Sequence, residues 1–493
     1  MSAMRRLRKL ASQAKATRQP RVLVEVAKQQ LGIYDWQLAV RSFRVALSLT
    51  KEHIGEVALD IGFTLSRHSR YQESVEFLEL ANAQLAKDDI RAPLLLADVF
   101  ERLGQLEKVQ ELVERILKYH PNSIPAHRLA ASAARQNGQL DQALQMLASM
   151  DKKSVPLHWE AARAWYEKGH IHDKIGEYAD AMRAWQTAKQ YYPTDGNYAL
   201  YQKQAQFIIH HPDRVFDSLT NNHLSHWLQG AKSLPHQQRL TILAGHPRSG
   251  TTLLEQALDA HPDAISAEET SIFSATVHGP LFEGKPGGMP QSHILDELTK
   301  PQLMKYRRVY RTFIELALGE KTNGRMVIDK NPDLLQLLPS VIRVLPEARI
   351  LMALRDPRDI LISIFSQPLP PNHNAICHLS LQSSAQFVAK RLGLWIKLRE
   401  NLPEAACILK YEDVVRNFQP EVKRALGHIG LDWHEQCGNP AQRAAEKVVQ
   451  SPTYAAIREP VHSKSVGRWQ NYAQWLDPQM SELEDTLEAL GYS

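Results

Sequence analysis

The sequence predicts an all-α solenoid of stacked helical repeats followed by an α/β domain built on a parallel sheet. Three observations carry this. Small residues recur through the first 195 positions at intervals near 34. From Arg239 on, the pattern changes to apolar strands alternating with amphipathic helices. The first of those strands then enters a turn bounded by Gly245 and Gly250. At 493 residues, with 43% hydrophobic and 23% charged, the chain is long enough for two or more domains.

The repeats are read from Ala39, Ser74, Val109, Ala143 and Ala181, spaced by 35, 35, 34 and 38 residues. Ser69-Arg70-Tyr71, Gly104-Gln105-Leu106, Gly138-Gln139-Leu140 and Gly176-Glu177-Tyr178 lie five, four and three residues before four of them. Larger apolar side chains follow at four (Phe43, Leu78, Val113, Leu147, Trp185), and apolar or small ones at seven (Ala46, Ala81, Ile116, Met150, Ala188). Pro121 and Pro193 end two of the units. A small residue just after a turn lets two antiparallel helices approach closely, and each pair buries its apolar face only by stacking on neighbours. The pattern resembles the tetratricopeptide repeat, with a generic helical bundle as the alternative. The first unit, around Ala39, lacks the glycine turn and is the weakest match.

Residues 20–195 are thus expected as the solenoid, 196–237 as a capping helix and linker punctuated by Pro212 and Pro235, and 238–493 as the α/β domain. Residues 1–19 form a basic arm with Arg5, Arg6, Arg8, Lys9, Lys15 and Arg18 and no acidic residue. No apolar stretch follows it, so it is not a secretory signal; it reads as a solvated terminus, or as an arm touching membrane or nucleic acid. No run approaches the roughly 20 apolar residues of a membrane span. A net charge of +5 does not point to nucleic acid, though it suits a protein that handles a polyanion. Cys377, Cys407 and Cys437 are widely spaced and odd in number, which predicts reduced thiols in a cytoplasmic protein. His170/His172 and His210/His211 have no third ligand placed by sequence, so no metal site is expected.

In the α/β half, Leu240–Ala244 predicts a strand, Gly245–Thr252 a tight loop, and Leu253–Leu258 a helix. Such a loop offers unpaired N–H groups and the positive helix end to an anion. Its ends match the spacing of a triphosphate loop, G-x-x-x-x-G-K-[ST], but Thr251 stands where the lysine belongs, which suggests a different anion. Arg349–Leu354 is the clearest second strand, and the Gly- and Pro-rich stretch from His278 to Pro290 reads as a mobile loop.

Pro247-Arg248-Ser249-Gly250-Thr251-Thr252, then Asp259-Ala260-His261-Pro262, then Glu268-Glu269-Thr270 resemble the active-site segment of the tyrosylprotein sulfotransferases. The likeness covers roughly residues 238 to 493. It implies an α/β, P-loop-like sulfotransferase domain using 3′-phosphoadenosine 5′-phosphosulfate (PAPS) as donor, with no metal. By this resemblance, the loop N–H groups from Arg248 through Ser249, Gly250, Thr251 and Thr252 hold the 5′-phosphosulfate. Arg248 also steadies the transferring sulfonate, and Glu269 is the general base. Lys330, in Asp329-Lys330-Asn331-Pro332, matches the lysine of the family's Asn-Lys-Asp-Pro motif and meets the bridging oxygen; the flanking Asp and Asn are exchanged. Arg355 and Ser363 correspond to the 3′-phosphate site, unless Arg355 and Arg358 merely pair with Asp356 and Asp359. Tyr411 resembles the tyrosine near the adenine, or is a core tyrosine. Thr453 falls near a family serine by the sulfonate, and Arg468, before Trp469, where a lysine meets the 3′-phosphate. Ser271 replaces an arginine that greets acidic residues around the target, which puts a preference for acid-flanked tyrosine in doubt.

The resemblance therefore implies sulfuryl transfer to an acceptor hydroxyl, first a protein or peptide tyrosine docked by the repeats. Carbohydrate or small-molecule sulfation is the alternative within the same chemistry. A nucleotide kinase is disfavoured by the missing lysine, and a non-catalytic interaction protein by the intact Arg248, Glu269, Lys330, Arg355 and Ser363. The eukaryotic enzymes of this type are Golgi membrane proteins, so the resemblance does not extend to location. No nucleic-acid partner is expected.

Overall fold

The computed structural model describes residues 19–148, 159–192, 197–210, 219–230, 234–235, 237–285, 289–400, 402, 406–446 and 456–492. The basic arm, apart from Gln19, lies outside the described residues, as do Met150, Pro193 and Thr453. The chain divides into two compact units, Met1–Tyr192 and Pro193–Ser493.

The described residues of the first unit form five antiparallel helix pairs: α1 (Pro20–Gly32) with α2 (Trp36–Ser48), α3 (Ile54–Arg67) with α4 (Tyr71–Gln84), α5 (Arg91–Leu103) with α6 (Leu106–Tyr119), α7 (Ile124–Gln136) with α8 (Leu140–Leu147), and α9 (Trp159–Ile175) with α10 (Tyr178–Gln190). Ala39, Ser74, Val109, Ala143 and Ala181 each occupy the fourth position of the second helix and are fully buried. The apolar side chains one turn on, Phe43, Leu78, Val113, Leu147 and Trp185, are buried as well. Burying each large one contributes roughly 1.5–3 kcal/mol. Close approach is visible at Gly169, where a Cβ would lie 2.2 Å from Trp185 Nε1, and at Gly62, where it would lie 2.5 Å from Leu78 Cδ2.

Every pair turns in the same way. One residue adopts left-handed φ (Tyr34 66°, Ser69 58°, Gly104 74°, Gly138 79°, Gly176 94°). The N–H of the next residue (Asp35, Arg70, Gln105, Gln139, Glu177) then donates back to a carbonyl of the last helical turn (Gln30, Leu65, Phe100, Ala134, His172) at 2.9–3.0 Å. This is the hydrogen bond that closes a helix around a left-handed residue. The first repeat, which lacks the glycine, makes the same turn without it. Tyr34 takes the glycine position at a conformational cost of about 1–2 kcal/mol. His170 packs edge-on against Trp185, and His172 bonds Glu177 at 2.7 Å.

In the second unit, α11 (Tyr198–Ile209) and α12 (Asn221–Gln229) occupy the segment read as capping helix and linker. Ala205 and Ile209 of α11 join a core cluster with Cys377 and Phe387. The sheet follows: β1 (Leu240–Gly245), β2 (Ala264–Ser266), β3 (Met326–Lys330), β4 (Arg349–Leu354) and β5 (Ala406–Lys410), all parallel, in the order β2-β3-β1-β4-β5. Helices α13 (Thr251–Asp259), α14 (Lys300–Leu318), α15 (Leu334–Val344), α16 (Pro357–Phe365), α17 (Leu381–Arg399) and α18 (Met480–Leu490) connect and flank it. All six residues of β1 are buried, as expected of a central strand covered on both faces. The chain runs from β1 out to β2, returns through β3, and crosses to β4 on the other side of β1. That reversal opens a crevice at the carboxyl ends of the strands.

The stretch expected as a loop from His278 is structured at its start. Ser274–His278 forms a π-helical turn and Gly279–Phe282 a short helix, with Val277 and Leu281 buried. Apolar burial at those two positions outweighs the turn signals. The three cysteines are buried and free. Among the described residues, no helix is long and apolar enough to cross a membrane.

Candidate active site

Each strand contributes to one cluster at its carboxyl end. β1 runs into the loop holding Arg248, β2 into Glu269, β3 ends on Lys330, β4 leads to Arg355, and β5 to Tyr411. Register sets them side by side: Lys330 pairs with Leu243, Gly245 with Ala353, and Leu354 with Lys410.

The loop is as tight as its glycines require. A Cβ on Gly245 would lie 2.7 Å from both Ala353 O and Ser249 Oγ. Gly250 has φ 90°, caps α13, and would drive a Cβ to 2.6 Å from Tyr411 Cδ2. The Tyr411 ring therefore rests on the loop, and the Arg355 guanidinium lies 4.7 Å over that ring. Thr251 and Thr252 open α13, where the first N–H groups have no intrahelical partner. Arg248 itself has φ 75°, a conformation few non-glycine residues adopt, and Glu268, before Glu269, has φ 55°. Both unusual backbones thus sit at this cluster, as strained residues often do at functional sites.

Arg248 donates from Nε to Ser363 Oγ at 3.0 Å. Ser363 and Arg248, read separately as parts of a 3′- and a 5′-phosphate site, are thus joined in this structure. Arg355 donates to Arg248 O at 3.2 Å and to Ser465 O, and lies 3.6 Å from Asp359. Burial lowers the Arg248 pKa to about 10, helped by the neighbouring charges of Arg355 and Arg468. Three guanidiniums converging on one loop suit a ligand with several negative charges. Among the buried atoms there without a hydrogen-bond partner in the described residues are Ser249 Oγ and Arg355 Nε. These orphans, with the cradle at Gly250, fit a bound phosphate or sulfate group. Of the two arginine–aspartate pairs weighed earlier, Arg358 pairs closely with Asp356 at 2.8 Å and stacks 4.0 Å over Trp469, so its task is structural. Asp359 pairs with Arg355 at 3.6 Å and also accepts from the N–H groups of Gly467 (2.9 Å) and Trp469 (2.8 Å), fastening the segment that carries Arg468 to α16.

On the β3 side, Lys330 is 1% exposed and bonds Glu269 at 2.7 Å and Glu255 at 3.0 Å. Burial works to lower its pKa, but the two carboxylates win and hold it above the usual lysine value. Asn331 Nδ2 donates to Thr270 O at 2.7 Å, tying the β3 end to the turn that presents Glu269. The exchange of Asp and Asn around Lys330 has a structural basis. Asp329 accepts from Tyr310 OH of α14 at 2.6 Å, and burial pushes its pKa up to about 7.

Residues 241–435 match the model of the Sulfotransferase family. This segment is a sulfotransferase-family domain. An uncharacterized protein of Aquifex aeolicus is 20% identical over 403 residues, covering 80% of this chain and 50% of its own length. Protein-tyrosine sulfotransferase 1 of Danio rerio is 24% identical over 272 residues, covering 51% of this chain and 72% of its own. The chain thus spans about half the length of the Aquifex relative. A solved sulfotransferase domain from the Synechococcus PCC 7002 olefin synthase aligns with 51% of this chain and 96% of its own, at 18% identity and a TM-score of 0.37.

One residue of the sulfotransferase domain escaped the sequence reading. Glu255 is 1% exposed, on a helix that buries eight of its nine residues. The available signal was a carboxylate inside an otherwise buried helix face, which calls for a cationic or N–H partner.

Proposed function

We propose that this chain is a PAPS-dependent sulfotransferase that moves a sulfuryl group to an acceptor hydroxyl, most directly a protein or peptide tyrosine. The observation that supports it best is the arginine cluster on the Gly245–Gly250 loop facing the Lys330–Glu269 pair. In this reading the loop N–H groups, Ser249, Thr251 and Thr252 hold the 5′-phosphosulfate, while Arg355, Ser363 and Arg468 serve the 3′-phosphate. Tyr411 stacks near the base. Arg248 steadies the equatorial sulfonate oxygens, Glu269 takes the acceptor proton, and Lys330 donates to the bridging oxygen as negative charge grows there. Thr453, outside the described residues, is assigned to the sulfonate by the resemblance alone. Ser271, uncharged, favours keeping carbohydrate and small-molecule hydroxyls within the acceptor class. The three free buried thiols support a reducing, cytoplasmic setting.

Incubation with labelled PAPS and a mixed peptide and glycan library should label one acceptor class. Calorimetry should show 3′,5′-diphosphoadenosine binding without magnesium and more tightly than ATP; ATP as the tighter ligand would refute the donor assignment. The helical repeats are assigned to docking of the protein acceptor. That role expects a lower KM for a tyrosine presented within a whole protein than for the same sequence as a short peptide, at similar kcat.

A further inference from the structure

Lys330 is shared by two carboxylates, only one of which the proposed chemistry uses. Glu269, on the turn after β2, keeps 30% of its side chain exposed and can meet an acceptor. Glu255, one turn into α13, is 1% exposed and takes no part in the transfer step proposed above. It is nonetheless wired to both reacting groups. Its Oε2 lies 3.0 Å from Lys330 Nζ, and its Oε1 accepts from Ser266 Oγ. The same Ser266 hydroxyl accepts from the N–H of Glu268 at 3.0 Å. Glu268 is the left-handed residue whose backbone presents Glu269. Glu255 therefore braces Lys330 through one oxygen and the Glu269 turn through the other.

We propose that Glu255 is a positioning residue that keeps the Lys330 ammonium charged and aimed while Glu269 is being neutralised. The inference rests on the reading of Lys330 and Glu269 given above. As the acceptor oxygen forms its bond to sulfur, its proton passes to the Glu269 carboxylate. The bond from sulfur to the bridging oxygen breaks, and that electron pair stays on the departing phosphate. At that moment Glu269 ceases to be an anion, and a lysine held by Glu269 alone would be a buried cation without a counter-charge. With Glu255 in place, Lys330 keeps one carboxylate throughout and its remaining N–H is released toward the leaving oxygen. The charged groups facing Lys330 are Glu255 from α13 and Glu269 from the turn after β2. Before transfer the trio is net negative. After it, Lys330 and Glu255 are balanced.

The test is a double-mutant cycle of Glu255→Gln with Lys330→Ala. It is read as transfer of labelled sulfuryl from PAPS to a tyrosine peptide and as release of labelled sulfate to water from the bound donor. Glu255→Gln alone should lower kcat by about 10–100-fold, and in the Lys330→Ala background it should add less than about 3-fold, because residues acting as a unit are non-additive. Affinity for 3′,5′-diphosphoadenosine should stay within about 3-fold, and Glu255→Asp should recover part of the rate. Equal losses in both backgrounds, or a Glu255→Gln kcat within 2-fold of the parent (roughly 0.4 kcal/mol), would overturn the inference. A Lys330→Ala enzyme with full kcat, or a parent chain that transfers to neither peptide nor water, would instead overturn the reading beneath it. Should Glu255→Gln fail to fold, Ser266→Ala in the same cycle cuts the link to the Glu269 turn and carries the same expectation.

Discussion

In the repeats, the buried Arg128 and the half-buried Arg135 and Arg163 meet carboxylates from other helix pairs. Arg135 lies 2.5 Å from Glu167, Arg163 lies 2.8 Å from Asp98, and Arg128 bonds both Asp98 and Glu101. Burial would raise the Asp98 pKa, yet Arg163 and Arg128 hold it well below the usual carboxylate range. In the sulfotransferase domain, Arg355 and Arg468 lie near Arg248, whose charge is made costly first by burial and then by these neighbours. The repeats use opposite charges for cohesion between helix pairs, whereas the second unit holds like charges close together. The difference separates scaffold from site by electrostatics alone: a cluster that is complete in itself against one that a polyanion would complete.

The comparison can be broken or sharpened by experiment. The largest effect is expected at Glu269→Ala, which should cut transfer by about 10²–10⁴-fold and leave 3′,5′-diphosphoadenosine binding nearly unchanged. A parallel loss of nucleotide affinity, measured by calorimetry, would contradict the division between acceptor and donor sides. Arg355→Ala comes next. It should weaken nucleotide binding by about 1.5–3 kcal/mol, the worth of a charge-assisted hydrogen bond. In the first unit, Gly169→Ala pushes a methyl into the Trp185 ring and should cost about 1–3 kcal/mol. Thermal melting should register that loss while nucleotide affinity holds; a fall in affinity would mean the units are energetically coupled. The smallest effect is expected at Ser69→Gly, which relieves a left-handed residue and should stabilise the first unit by about 0.5–1 kcal/mol in denaturant titration.

The repeats were legible because their logic is periodic: a small residue, a larger one a turn later, and a glycine before them. What period could not show was that Tyr34 and Ser69 adopt the glycine conformation, since the hydrogen bonds from Asp35 and Arg70 are made by backbone and leave no mark on side-chain identity. In the second unit, the loop and the lysine-bearing strand end could be read from spacing, and the structure brings Arg248, Glu269, Lys330, Arg355, Ser363 and Tyr411 to one crevice. The bond from Arg248 to Ser363 spans 115 positions and depends on strand order, which local sequence does not encode. Glu255 was hidden for a related reason: a buried glutamate looks like any helix glutamate until its partner on another strand is known.

Five of the candidate side chains, Arg248, Glu269, Lys330, Arg355 and Tyr411, lie at or just after the ends of five different strands, and that parentage governs how the site responds to stress. No hairpin or half-sheet contains even a rudimentary version of it, because losing any one strand removes one of the groups outright. Occupancy by an anion would then report on the integrity of the entire sheet. The bound form would resist unfolding by the full mass-action term RT ln(1 + [L]/Kd). Local fraying at the rim, at β2 or β5, would extinguish recognition before the rest of the domain had opened.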